Sequence, residues 1–191
     1  LTELGFEAPT PIQEKAIPYL MQEDCDFVGL AQTGTGKTAA FGLPLINNID
    51  TKARLPQGLI ICPTRELCLQ IAKDLNVFAK YLDCSITAVY GGTDIRRQMT
   101  DIKNGATIVV ATPGRLVDLA NRKALRLEEV EWVVLDEADE MLRMGFIDDV
   151  QTIMDATPPG RQVAMFSATM PAPIRAIAQK HLKNAEEIKI A

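Results

Sequence analysis

The sequence predicts an α/β fold of three layers, a mostly parallel sheet covered by helices on both faces. Short apolar runs recur along the chain, and stretches with helical periodicity separate them. The runs are apolar throughout rather than alternating, as strands buried on both faces are. Polar residues and glycines collect directly after the C-terminal ends of these runs. In an open parallel sheet those ends share one rim, and ligands bind there.

Gly5–Gln13 leads into a helix with Ile12, Ala16, Ile17 and Leu20 on one face; Thr10 suits the N-cap, Pro11 the first helical position and Gln13 the reciprocal capping position. The Gln13 amide also complements the adenine N6 and N7 edge, and residue chemistry leaves both roles open. Asp26–Leu30 reads as the first buried strand. It breaks into a glycine-bearing loop, and Lys37-Thr38 opens a helix carrying Ala39, Ala40, Phe41 and Leu43, which Pro44 is expected to interrupt. Gly58–Cys62 is the second strand. Thr64 then caps a long helix with Leu67, Ile71, Leu75, Phe78 and Leu82 expected inward. Ser85–Tyr90 is closed by Gly91-Gly92, and Thr107–Ala111 runs into Thr112-Pro113-Gly114-Arg115. Trp132–Leu135 delivers Asp136-Glu137-Ala138-Asp139, and Val163–Phe166 delivers Ser167-Ala168-Thr169. A last helix bears Ile174, Ile177, Ala178 and Leu182, and Ile188–Ile190 is a candidate edge strand. No repeat, low-complexity tract or internal boundary is visible, so residues 1–191 are read as one domain.

Composition narrows the class. With 191 residues and a hydrophobic fraction of 47%, the chain has ample material for a core, and no apolar run approaches a membrane span. A start at Leu1 without Met, basic region or signal-like segment points to a trimmed N-terminus. Cys25, Cys62, Cys68 and Cys84 form no C-x-x-C pair, which fits reduced thiols in a cytoplasmic protein and predicts neither disulfide nor zinc. A net charge of −5 argues against broad attraction to nucleic acid, so any such contact has to be local.

The most informative stretch runs from Ala31 to Thr38. Gly34 and Gly36 let the backbone from Gln32 through Thr33 and Thr35 curl with its N–H groups inward, at the positive end of the next helix. A polyphosphate fits that concavity, with Lys37 on the β and γ phosphates and the Thr38 hydroxyl on a magnesium ion. Ala31 stands where the usual phosphate-loop pattern has its first glycine. The bland alternative is a glycine-rich turn with an exposed lysine. Asp136 and Glu137, closing an apolar strand, suit a Walker B role: an aspartate for the metal and a carboxylate to activate water. Read blandly, Asp136 caps a short helix and Glu137 is its acidic first turn.

The motif set resembles the DEAD-box RNA helicases of superfamily two, in particular their first RecA-like domain. Gly5–Gln13 resembles the Q motif, Ala31–Thr38 motif I, Pro63–Leu67 with Gln70 motif Ia, Gly91-Gly92 the GG doublet, Thr112–Arg115 the TPGR motif, Asp136–Asp139 the D-E-A-D signature and Ser167–Thr169 motif III. The resemblance implies that Phe6, Gln13 and Gln32–Thr38 bind ATP, that Thr38 and Asp136 hold Mg²⁺, and that Lys37, Asp136 and Glu137 carry catalysis. It implies RNA contact, mainly through the backbone, for Thr64, Arg65, Gly92, Thr112, Gly114 and Arg115. Asp139, Ser167 and Thr169 would then couple nucleotide state to RNA state. A second RecA-like domain in cis is implied too, with this chain alone a monomer that binds nucleotide weakly and does not unwind. The rival readings are a DNA-directed superfamily two helicase and an ATP-dependent RNA clamp. His181 and Trp132 are read as packing residues and Arg96 and Arg97 as a solvated helix face, His181 alternatively as solvent-facing.

Overall fold

The computed structural model describes residues 1–22 and 25–190. Seven strands form one sheet: β1 (Phe27–Leu30), β2 (Gly58–Ile61), β3 (Ile86–Val89), β4 (Ile108–Ala111), β5 (Trp132–Leu135), β6 (Gln162–Ser167) and β7 (Glu186–Lys189). Their spatial order is β3-β4-β2-β5-β6-β1-β7, and every pairing is parallel. The helices are α1 (Pro11–Leu20), α2 (Lys37–Asn47), α3 (Arg65–Phe78), α4 (Ile95–Lys103), α5 (Pro113–Asn121), α6 (Ala138–Arg143), α7 (Ile147–Ala156) and α8 (Ala172–His181).

The strand order dictates which helix covers which face. From β1 through β2 to β3 the chain steps toward one edge of the sheet; from β3 onward every step goes back the other way. Parallel crossovers are right-handed, so reversing the direction of travel moves the connecting helices to the opposite face. Accordingly α1, α2 and α3 pack on one apolar cluster through residues such as Ile12, Phe41 and Ile71, whereas α4 to α8 pack on another through Ile102, Leu116, Met141, Ile153 and Ile177. Side-chain alternation feeds both: Val28, Val133 and Met165 point into the second cluster, and their neighbours Phe27, Val134 and Phe166 into the first. The Phe27 and Phe41 rings sit 5.8 and 5.5 Å from that of Phe166. Gly29 makes room for them, since a Cβ there would meet Phe166 at 2.8 Å.

Two expectations are corrected. Pro44 does not interrupt α2, which runs on to Asn47. A proline inside a helix removes a single N–H and fits helical φ, and here the burial of Phe41, Leu45 and Ile46 around it outweighs that loss. Leu82 is not an inward residue of α3: the helix ends at Phe78, and Leu82 lies beyond it, 50% exposed. Of the rest of that stripe, Ile71 and Leu75 are buried while Leu67 and Phe78 are half-buried. The closing strand is displaced slightly, to Glu186–Lys189. His181 packs, its Nε2 donating to Gln151 Oε1 at 2.9 Å, and Trp132 is in the core. All four cysteines are free; the Cys62 thiol is pushed up by the neighbouring Cys68 thiol and by burial, which keeps it protonated. Among the described residues no helix is long and apolar enough to cross a membrane.

Candidate functional site

The loop after β1 is clamped from two sides. Ala31 N–H donates to the Ser167 carbonyl (3.1 Å), tying it to β6, and Gln13 Nε2 donates to the Gly36 carbonyl (3.1 Å), tying it to α1. Gln13 also completes a capping box: its Oε1 accepts from Thr10 N–H at 3.0 Å, and Thr10 Oγ1 accepts from Gln13 N–H at 3.5 Å. Thr35 Oγ1 donates to the Gln32 carbonyl (2.8 Å), closing the turn from within. Gly34 and Gly36 both have positive φ, 82° and 85°. A Cβ on Gly36 would stand 2.5 Å from Gln13 Nε2 and 2.9 Å from Thr10 Oγ1. Gly36→Ala is therefore expected to cost about 1–2 kcal/mol in left-handed backbone alone and to push the capping box off the loop. A lower melting temperature is the result to look for, and an unchanged one would refute the clamp.

Lys37 Nζ lies 3.3 Å from Asp136 Oδ1, both side chains almost fully buried. The two residues come from the start of α2 and the end of β5, brought together because the parallel strands expose their C-terminal ends on one side. Burial pushes the Asp136 carboxyl above its ordinary range; the Lys37 charge and the N–H of Glu137, donating at 3.0 Å, oppose that shift. Asp136 is thus occupied by Lys37 rather than by helix capping. Glu137 holds the cap position of α6 in left-handed geometry (φ 53°, ψ 52°) with no capping bond from its side chain. A non-glycine residue there costs on the order of 1–3 kcal/mol and persists only where surroundings enforce it. Burial, then the neighbouring Asp136 charge, raise the Glu137 pKa as well.

A cavity of about 530 Å³ opens over these groups. Phe6, Gln13, Thr33, Gly34, Gly36, Lys37, Thr38, Asp136 and Glu137 all line it, whereas Gln32 and Thr35 do not. Phe6 is held by an edge contact with Phe78, ring centroids 6.0 Å apart. Beside this cavity Asp139, Ser167 and Thr169 form one hydrogen-bonded unit. Asp139 N–H donates to Ser167 Oγ (3.1 Å), and Thr169 donates to Asp139 Oδ2 from its N–H (3.1 Å) and its hydroxyl (2.9 Å). Burial would raise the Asp139 pKa, but the bonds from Thr169 and Ser167 hold it below the usual range. These hydroxyls do not cap α8, whose N-cap is Pro171.

A second cavity, about 440 Å³, lies at the ends of β2, β3 and β4 and is lined by Arg65, Thr112, Gly114 and Arg115. Thr64 and Gly92 adjoin it in sequence without lining it; the Thr64 hydroxyl is occupied as the α3 cap, accepting from Leu67 N–H at 3.2 Å. The Arg65 guanidinium stacks 4.9 Å from the Tyr90 ring centroid. Arg115 is held by donating to Gln98 Oε1 (2.9 Å) and to the Thr93 carbonyl (3.0 Å), and Gln98 Nε2 in turn donates to the Tyr90 carbonyl and Thr93 Oγ1.

The model of the DEAD/DEAH box helicase family matches residues 10–177. The chain belongs to this family. It is 53% identical over 190 residues to the ATP-dependent RNA helicase CshA of Listeria monocytogenes, covering 100% of this chain and 36% of that protein. It is 51% identical to the ATP-dependent RNA helicase DeaD of Klebsiella pneumoniae, covering 100% of this chain and 30% of that protein. The crystal structure of a DEAD box protein from the hyperthermophile Methanococcus jannaschii superposes with a TM-score of 0.96 at 40% identity, covering 100% of this chain and 52% of that one. The fold is thus the three-layer α/β RecA-like fold of DEAD-box proteins, and the chain spans about a third of the length of the first two relatives.

In this DEAD/DEAH box domain some lining residues have no ligand role in the motif reading. Leu67, Gln70, Asp74 and Phe78 present one side of α3 to the larger cavity; the sequence marks Leu67 and Phe78 as apolar stripe and Gln70 as part of motif Ia, and it does not mark Asp74 at all. Tyr90 and Phe146 line the smaller one. Gln98 did leave a signal, being polar on the helix face that carries Ile95 and Ile102, and it is 6% exposed.

Proposed function

We propose that this chain is the ATP-binding half of a DEAD-box RNA helicase, a single RecA-like domain spanning residues 1–191, working with a second RecA-like domain in the same polypeptide. The observation that carries the reading is the buried Lys37–Asp136 pair at 3.3 Å, set beside glycines of positive φ on the rim that also bears the Arg65–Arg115 cavity. Lys37 and the loop amides bind and orient the phosphates, Gln13 and Phe6 take the adenine, and Glu137 accepts a proton from the attacking water. The donor set suits magnesium: one buried carboxylate, Asp136, and one hydroxyl, Thr38, line the same cavity, and among the described residues no larger ligand cluster exists. When bound, the ion neutralises phosphate charge. Arg65, Thr112, Gly114 and Arg115, with Thr64 and Gly92 beside them, hold RNA by phosphate and sugar, which gives little sequence preference. Asp139, bonded to both Ser167 and Thr169, couples nucleotide state to RNA state in this reading. The free, largely buried thiols support a cytoplasmic setting.

The test uses the longer protein of which this chain is part. RNA is expected to stimulate its ATP turnover and to support separation of short duplexes. Equal turnover with and without RNA would sink the reading, and stronger stimulation by DNA of equal length would favour the DNA-directed rival. Prolonged RNA residence with a non-hydrolysable analogue, without strand separation on ATP, would favour the clamp. The isolated chain is expected to remain a monomer with weak ATP affinity and no unwinding.

A further inference from the structure

A groove of about 500 Å³ lies away from both cavities. Two of its walls, Arg54–Pro56 and Lys123–Arg126, precede the N-terminal ends of β2 and β5, so that part opens at the edge of the sheet opposite the ligand rim; its third wall is α4, from Arg96 in the first turn to Lys103 at its end. In a chain of net charge −5, this groove is lined by Arg54, Arg96, Lys103, Lys123 and Arg126 with one lining carboxylate, Glu129, while Asp83 and Asp94 stand beside it, paired with Arg54 and Arg96. The floor between them is aliphatic: Leu55, Met99, Ile102 and Leu125.

Three of the cations have only exposed partners, Arg54 with Asp83 (2.7 Å), Arg96 with Asp94 (3.3 Å) and Arg126 with Glu129 (3.6 Å). Such pairs are weak and easily exchanged. Lys103 and Lys123 are exposed and make no ion pair among the described residues. Lys123 also holds left-handed backbone, φ 59°, at the end of α5, a position that favours glycine or asparagine. Arg96 and Lys103 lie two helical turns apart on α4, about 10 Å by helix rise. That separation is too wide for one compact anion and matches carboxylates about three residues apart on an extended peptide.

We propose that this groove docks an acidic, amphipathic peptide segment of a partner protein, with aliphatic side chains on the Leu55–Met99–Leu125 floor and flanking carboxylates on Arg96, Lys103 and Lys123. Charge complementarity selects an anionic occupant, and the aliphatic floor seats apolar side chains, which a peptide supplies and a sugar–phosphate backbone does not. The groove shares no lining residue with either cavity, so docking is expected to proceed without ATP or RNA.

The probe is a fluorescein-labelled Glu-Asp-Leu-Ser-Asp-Leu-Glu peptide, titrated with the 191-residue chain and followed by anisotropy. Saturable binding in the micromolar range is expected, weakened about tenfold or more by Lys103→Glu with Lys123→Glu. The melting temperature should not change, and Lys103→Gln with Lys123→Gln should give an intermediate loss. Absence of saturation up to about 1 mM, or equal affinity in the charge-reversed variant, overturns the proposal. So does tighter binding of an oligouridylate that the same substitutions abolish, because the groove would then be a nucleic-acid path.

Discussion

Glu137→Gln is expected to leave ATP binding intact and to cut RNA-stimulated turnover in the longer protein by about 10²–10⁴-fold, the usual contribution of a positioned general base. The substitution keeps the shape of the side chain and the left-handed backbone at φ 53°, so the cavity wall stays in place. What it removes is the ability to accept a proton. Burial and the Asp136 charge already raise the Glu137 pKa, which makes its carboxylate a stronger base near neutral pH than an exposed glutamate. The same shift has a sign that can be read: as pH falls, the wild-type rate should decline above the ordinary glutamate range, because that is where Glu137 takes up its proton. The variant should lack that limb. Normal turnover in Glu137→Gln would remove this residue from the chemistry and leave water activation to another group.

Much of this was legible in the sequence because the sheet is parallel and buried on both faces. Runs such as Ile108–Ala111 and Trp132–Leu135 admit no exposed reading, and the polar residues directly after them must fall on the common rim. Thr10 and Thr64 announced their helices by side-chain chemistry that acts within three residues. Failures came where tertiary packing outvotes local preference. Pro44 stays helical because its neighbours are buried, and Leu82 falls outside a helix whose apolar spacing continues past its end. The left-handed Glu137 leaves no trace in a side chain that tolerates that geometry poorly; only the surrounding contacts of Asp136 and α6 enforce it. The α3 wall of the larger cavity was hidden for another reason. Leu67 and Phe78 are ordinary in an apolar stripe, Gln70 and Asp74 on a polar helix face, and the four become a wall only because α3 stands beside the loop clamped by Gln13.

Lys37→Ala should be the most damaging single change to stability in this site. The Lys37–Asp136 pair is nearly buried at the wall of the cavity, and removing one partner of such a pair costs up to about 3–5 kcal/mol because the other charge is left without compensation. Asp136 has an escape, since burial already favours its neutral form and losing Lys37 removes the main opposing influence. The consequence is a pH dependence with a defined sign. A carboxyl whose folded-state pKa is raised binds more protons folded than unfolded, so stability is greatest at or below the ordinary aspartate range and is lost as pH rises through the raised value. Urea unfolding of Lys37→Ala should accordingly show a deficit that is largest near neutral pH and shrinks on acidification. Adding Asp136→Asn should restore part of the neutral-pH loss, because it removes the stranded charge while keeping an acceptor for the Glu137 N–H. Equal deficits across the pH series, with no recovery in the double variant, would mean that the two groups are not energetically coupled, and the cradle would lose the ion pair on which its proposed chemistry rests.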